Sequence, residues 1–358
     1  MSNFLDLYVL QSVPASCINR DDSNMPKTVI YGGTLRSRVS SQAWKHAMRE
    51  DFKKYADQDD LFASHRTLLI PQLLSAEIQK QSPDMSKENA DQLSVKVIKD
   101  TAGIKMKKNE MKTSALLFLS QVQIEKLAQL ALTHADTLDQ DTKEVKSQLT
   151  RILKKDNSLD LALFGRMVAD DANLSTYASS QVAHAFSVNT IEPEYDYFSA
   201  ADDDSHTQGS AMLDSTGYNS STLYRYANIN LSALKHNLGD AEDVFIKGIK
   251  FFIKDFALSM PTGKENSYAN KTLPYYVLAV IRDDTPVNLA SAFESAIDSN
   301  RGFMQLAINR LEEENKKDLV FVDKPVFSYV STTMKSNINN QGTLNELIEN
   351  ITNQIKGE

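Results

Sequence analysis

From about residue 60 to 165 the apolar side chains recur at three- and four-residue steps, and the segments on either side do not share that rhythm. "LLIPQLLSAEIQKQ", "KENADQLSVKVIKD", "SALLFLSQVQIEKLAQLAL" and "DTKEVKSQLTRILKK" each gather their apolar residues on one helical face. The flanks read as strands: "FLDLYVLQ" (4–11), the extended "TLRSRVS", "SQVAHAFSVNTI" (180–191), "TLYRYANINL" (222–231) and "YYVLAVIRD" (275–283). Such a chain must build a sheet-containing scaffold with a helical insertion of roughly a hundred residues.

Helices in the flanks complete the pattern. After "TLRSRVS", Trp44, Ala47, Met48, Phe52 and Tyr55 share one face, with Ser40 or Ser41 as the N-cap. Asp240 is predicted to cap a helix running to Leu258, with Phe245, Ile249, Phe252, Ile253 and Phe256 inward. A single helix is expected over 289–314, and Thr343 with Glu346 forms a capping box for the last one. With the insertion removed, the order is β, α, β, long hairpin, β, α, β. That is the ferredoxin-like α+β arrangement, also used by RNA-recognition modules.

Several function classes fall away. Cys17 is the only cysteine, so neither an intramolecular disulfide nor a thiolate cluster can form. "MSNFLDLYVLQSVP" has no basic lead and is interrupted by Asp6, so no targeting signal is expected and the cytoplasm is the expected compartment. Even "VFIKGIKFFIKDFAL" is broken by lysines, which argues against a membrane span. "TGKE" (262–265) has Leu258 where a phosphate loop needs its first glycine, and Glu265 where it needs Ser or Thr. His46, His65, His134, His184, His206 and His236 never pair at ligand spacing and read as surface or satisfied histidines, so neither a metal nor a cofactor is expected. Two acidic clusters, Asp21–Asp22 and Asp202–Asp203–Asp204, can be turn residues or can hold a divalent metal for phosphodiester cleavage.

The positive feature is local. The formal net charge is −8, yet "RSRVSSQAWKHAMREDFKK" (36–54) collects cations at the opening of a helix. Ser40, Ser41 and Gln42 sit where a helix N-terminus presents unpaired N–H groups. Lys45, Arg49 and Lys53 follow four apart on one stripe, and Arg36 and Arg38 project to one side of the strand before it. With Arg20 and Lys27 they can line a track for a polyanion.

"SCINRDDSNMPK", "YGGTLRSRVSSQAWKHAMR", "ALFGRMVAD" and "YFSAADD…QGSA…YRYANINL" together resemble the backbone subunit of the Cascade surveillance complex of type I-E CRISPR systems, the CasC family. The blocks agree in order over the first two-thirds of the chain, while the helical insertion and the last hundred residues match more weakly. The resemblance implies a hand-shaped antiviral-defence protein. It would have an RRM-like palm (1–60, 181–196 and, with C-terminal helices, 223–358), an inserted helical finger domain (61–180) and a long β-hairpin thumb (197–222). Copies would polymerise along one CRISPR RNA beside other Cascade subunits and present the guide for pairing with target DNA, without catalysis of their own.

In that picture Arg20, Lys27, Arg38, Ser40, Gln42, Lys45 and Arg49 hold the guide backbone. Met167, Tyr197, Phe198 and Ser199 wedge against a displaced base, and Lys143, Lys146, Lys154 and Lys155 meet DNA. Contacts to phosphate and sugar suit a protein that must accept any guide, because they position without specifying sequence. The competing reading is a metal-dependent ribonuclease of a related CRISPR effector using Asp21 or Asp22. A weaker third is a helical protein-interaction subunit without nucleic-acid contact.

Overall fold

The computed structural model describes residues 3–135, 142–168, 170–201 and 210–357. The chain begins with β1 (Phe4–Ser16), the β2 (Thr28–Tyr31) and β3 (Thr34–Val39) ribbon, and helix α1 (Ser41–Lys53). The helical stretch contains β4 (Ser64–Thr67), α2 (Ile70–Gln81), α3 (Lys87–Val95), β5 (Leu117–Ser120), α4 (Gln121–Thr133), α5 (Thr142–Lys154) and α6 (Leu159–Phe164). Then come β6 (Ser180–Val182), β7 (Ala185–Ser187), β8 (Glu194–Ala201) and β9 (Ser210–Asn230), followed by α7 (Leu231–Asn237), α8 (Glu242–Leu258) and α9 (Glu265–Tyr268). The chain closes with β10 (Tyr276–Arg282), α10 (Met304–Lys317), β11 (Phe327–Thr332) and α11 (Leu344–Lys356). The fold class is α+β.

Two compact units result: residues 1–48, 182–228 and 250–358 in one, and 49–181 with 229–249 in the other. The helical unit thus takes in residues 229–249, a segment the sequence reading left with the palm.

The first unit is organised by a sheet in the order β11-β10-β1-β9-β7-β3-β2, with β6 and β8 also paired to β9. The strands of the expected βαββαβ pattern, β1, β7, β9 and β10, are neighbours in it. β1 runs antiparallel to β10 from Phe4 opposite Arg282 to Leu10 opposite Tyr276. It is buried on both faces, so Leu5, Leu7 and Val9 take one side and Asp6, Tyr8 and Leu10 the other. Asp6 is fully buried because its carboxylate is fully employed. It accepts from Arg282 Nε at 2.9 Å, the Tyr226 hydroxyl at 2.8 Å and the Val287 amide at 3.1 Å. Between β2 and β3, Gly32 (φ 57°) and Gly33 (φ 77°) form a two-residue turn that needs two left-handed residues. A Cβ on Gly32 would also stand 1.6 Å from the Glu294 carbonyl oxygen.

A second cluster of this unit gathers Val13, Ile18, Val39, Leu223 and Met260 around Trp44 of α1. Against that indole lies the guanidinium of Arg225, 3.7 Å from the ring centroid, with Phe256 on another side at 4.9 Å. Arg225 is 1% exposed. It donates to Gln11 Oε1 at 2.7 Å and to the Phe256 and Ala257 carbonyls, which the last turn of α8 leaves without intrahelical partners. Burial pushes its pKa down to about 9, which still leaves it charged at neutral pH.

The second unit packs α2, α3, α4 and α5 around Leu74, Ile78, Leu93, Leu127, Leu149 and Leu153. Its β4–β5 ladder runs from Ser64 opposite Ser120 to Thr67 opposite Leu117. Arg166, 4% exposed, ties these elements together. It donates to the Leu153 carbonyl at the end of α5, and to the Phe118 and Leu174 carbonyls. Asp160 is a second junction: Oδ2 accepts from Arg49 Nε at 2.8 Å and Ser64 Oγ at 2.7 Å, while Oδ1 accepts from Ser158 Oγ at 2.7 Å.

Four local expectations change. Asp240 does not cap α8: it sits at φ 62° and its amide bonds the Lys235 carbonyl, so Gly239–Asp240 ends the unforeseen α7. The expected 289–314 helix is a short 3-10 turn (Leu289–Phe293), an irregular stretch through Gly302, and then α10. The run "SALLFLSQVQ" divides at Ser120, where β5 ends and a capping box with Gln123 starts α4. β11 escaped notice because only Tyr329 and Val330 of its six residues are buried.

Two stability measurements test this account. Arg225→Met keeps most of the side-chain volume but strands Gln11 and two helix-end carbonyls; a loss of about 2–4 kcal/mol is expected in urea unfolding of the full chain. Arg49→Ala leaves the buried Asp160 carboxylate without its cation and is expected to cost about 3 kcal/mol, read as an earlier urea transition. An unchanged midpoint in either variant contradicts the role given to that arginine.

Candidate nucleic-acid interface

Residues Cys17 to Val39 of the first unit form the floor of the candidate site. The amide of Lys27 bonds the Asn19 carbonyl and its own carbonyl accepts from the Arg38 amide, so the loop after β1 is laced to β3. Arg38 Nε donates to the Thr28 carbonyl at 3.1 Å, which aims the guanidinium across the strand end. A small depression there is lined by Asn19, Lys27, Ser37, Arg38 and Asn219 together with the apolar Ile18, Pro26 and Val39. Its wall mixes polar and apolar side chains with two cations, Lys27 and Arg38.

Ser40 is the cap of α1: its Oγ accepts from the Ala43 amide at 3.3 Å, and its amide donates to Asn19 Oδ1 at 2.9 Å. This leaves Ser40 buried and Gln42 exposed one residue into the helix. Lys45 follows one turn on, half-buried, and burial lowers its pKa. Lys27, Arg38 and Lys45 converge on His184, between β6 and β7: all three push its pKa down, alongside the larger effect of burial. Arg38 Nη1 lies 3.1 Å from His184 Nδ1. The sequence reading had set His184 aside because no ligand spacing marked it. The available signal was its place two residues before Phe186, which pairs with Arg38.

Other candidates fall elsewhere. Arg20 is exposed on the loop after β1, with Nη1 3.4 Å from Asn24 Oδ1. Arg36 leaves the expected track: at 0% exposure it donates to the Ser187, Phe293 and Glu294 carbonyls. It shares a face of β3 with Arg38, but the 289–294 turn covers only Arg36. Arg49 belongs to the helical unit, its Nε held by Asp160 and its guanidinium 4.7 Å from the Phe118 ring centroid. Reversing its charge would set two carboxylates against each other, so Arg49 is a poor probe of anion binding.

The described residues of the long connection from 192 to 221 include a ladder, β8 against β9, from Glu194 opposite Tyr218 to Ala201 opposite Ser210. Its pairing places Tyr197, Ser199 and Leu213 on one face and Phe198, Met212 and Asp214 on the other. The candidate wedge residues are therefore divided between faces, with Tyr197 67% and Phe198 40% exposed. The root of the ladder is held by Met25 over Gly217, the Tyr218 ring against Tyr268, and Lys264 to Thr216. Asp202–Asp203–Asp204 and His206 lie outside the described residues.

In the helical unit Met167 is 84% exposed beside the anchored Arg166. Lys143, Lys146, Lys154 and Lys155 are exposed on and just after α5, with Lys146 Nζ 3.4 Å from Asp171. The remaining acidic candidate is built into a turn: Asp21 Oδ1 accepts from the Ser23 and Met25 amides at 2.9 and 3.0 Å, and Asp22 is exposed. Among the described residues, no group of three or more His, Cys, Asp or Glu side chains is arranged to hold a metal ion. Nor is any helix there long and apolar enough to cross a membrane.

No curated protein sequence matches the chain significantly. Among solved structures it is similar to a chain of a CRISPR RNA-guided surveillance complex, pre-nicking, at 27% identity and a TM-score of 0.82, covering 98% of this chain and 99% of that one. A chain of a second CRISPR RNA-guided surveillance complex matches at 26% identity and a TM-score of 0.74, with the same coverage of 98% and 99%. The sequence profile of the CT1975-like proteins matches residues 5–354. Since that match takes in both units and nearly every element described above, the chain belongs to the CT1975-like protein family.

Proposed function

We propose that this chain is a Cascade component that binds CRISPR RNA: a non-catalytic backbone subunit that polymerises along the guide and presents it for pairing with target DNA. The observation that carries this reading is the placement of Lys27 and Arg38 on one small depression, with Lys45 joining them in acting on His184, in a chain whose near-complete length is similar to subunits of RNA-guided surveillance complexes. Cations so placed grip phosphates and sugars without reading bases, which a subunit accepting every guide requires. Gln42 and the α1 opening extend that grip. Met167, Tyr197, Phe198 and Ser199 supply exposed surfaces on which a base can rest. Lys143, Lys146, Lys154 and Lys155 offer a separate basic face for DNA.

The turn around Asp21 supports a scaffold in preference to a nuclease. One Asp21 carboxylate oxygen accepts from two backbone amides, the arrangement of a turn-forming residue.

Binding of an unstructured RNA to the full chain tests the reading. If Lys27, Arg38, Lys45 and Arg20 together neutralise about four phosphates, log K falls against log salt with a slope of about −3. Replacing Lys27, Arg38 and Lys45 by Gln should lower that slope by about 2 with circular dichroism unchanged. An unaltered slope would remove these residues from the site. Incubation of the bound RNA with Mg²⁺ or Mn²⁺ should leave it intact, and cleavage that vanishes in Asp22→Ala would favour the ribonuclease.

A further inference from the structure

His184 stands among cations, and its protonation state is fixed by the group it touches. Arg38 Nη1 lies 3.1 Å from Nδ1, and a guanidinium can only donate. Nδ1 is therefore an acceptor, and the imidazole is neutral with its proton on Nε2. Arg38 is held in this pose by the Thr28 carbonyl. The charged groups that face His184 are Arg38 from β3, Lys27 from the segment before β2 and Lys45 from α1, all cations. The residue itself is exposed, so its Nε2–H is available at the surface of the same basic cluster.

We propose that His184 is a fourth anion-binding group of this site: a neutral Nε2–H donor to the RNA phosphodiester that becomes imidazolium in the bound state, so that the chain takes up a proton as it takes up RNA. The proposal rests on the RNA-binding reading above and adds a residue and a linkage to it. In the free chain three positive neighbours oppose a further charge on the ring. A phosphate placed among them reverses the sign of the local field and favours the imidazolium. Protonation at Nδ1 ends its acceptance from Arg38, which frees Nη1 for the same phosphate.

The sign follows from linkage. The free imidazole titrates below the ordinary histidine range, through burial first and then through Arg38, Lys27 and Lys45, and the bound one titrates higher. Affinity therefore rises as pH falls through the interval between the two, by at most about tenfold per pH unit for one proton.

The test uses the full chain and a fluorescein-labelled oligouridylate, whose bases do not titrate between about pH 5 and 8, at constant ionic strength. Wild-type affinity should climb as pH is lowered across that window. His184→Gln keeps a side-chain N–H donor but cannot charge, so it should lose the climb whatever its affinity at the alkaline end. Calorimetry in buffers of different ionisation enthalpy should show proton uptake on binding by wild type and its loss in the variant. RNA binding with the same pH slope in both proteins would overturn the assignment of His184 while leaving the RNA-binding reading in place. Absence of RNA binding by the wild type at every pH would overturn that reading and the His184 proposal with it.

Discussion

Buried guanidinium groups seated on the carbonyl ends of helices hold each unit together. The last turn of a helix leaves carbonyls without partners and carries the negative end of the dipole, so a buried helix end needs a donor and favours a cation. Arg225 meets that need for α8 and Arg166 for α5, and Arg36 does the same for the 3-10 turn that ends at Phe293. Arginine suits the task because its five donors can serve several acceptors at once and its charge is weakly hydrated. Lysines, with their compact and strongly hydrated charge, stay at the surface. An acidic protein thus places several of its cations inside, where composition gives no hint of them.

This division of labour shapes the candidate anion site. Arg36 and Arg38 lie on one face of β3, and the segment that receives Arg36 ends before it reaches Arg38. One guanidinium therefore locks the strand in place while the next, two residues on, stays half-buried between the Thr28 carbonyl and His184. The Ser40 cap then starts α1 at a set point through its bond to Asn19, which brings Lys45 over the same ground.

The β8–β9 ladder shows a different economy of form. Away from the root its described side chains are exposed on both faces, so backbone pairing and a well-packed root must carry it. A ladder that buries little beyond its root has no sustained alternation of apolar and polar residues, which is why its sequence reads as a polar connection although the pairing is regular. The strand β11 and the short helix α7 were hidden for related reasons. One has two buried positions in six, and the other spans only seven residues.

Sequence alone determined the features that depend on neighbours within a few residues. These are the helical periodicity of the insertion, the strands on either side, the α1 face built on Trp44 and the Thr343–Glu346 capping box. It also assembled Lys27, Arg38 and Lys45 as candidates, because cations at a helix opening are a local pattern. Tertiary structure decided which of these side chains are engaged inside the fold. Arg36 was removed by carbonyls more than 250 residues away, Arg49 was taken by Asp160 111 residues on, and His184 was added 146 residues from its partner Arg38. The fate of a charged side chain depends on what the fold sets against it, and partners so distant leave no mark on the local pattern.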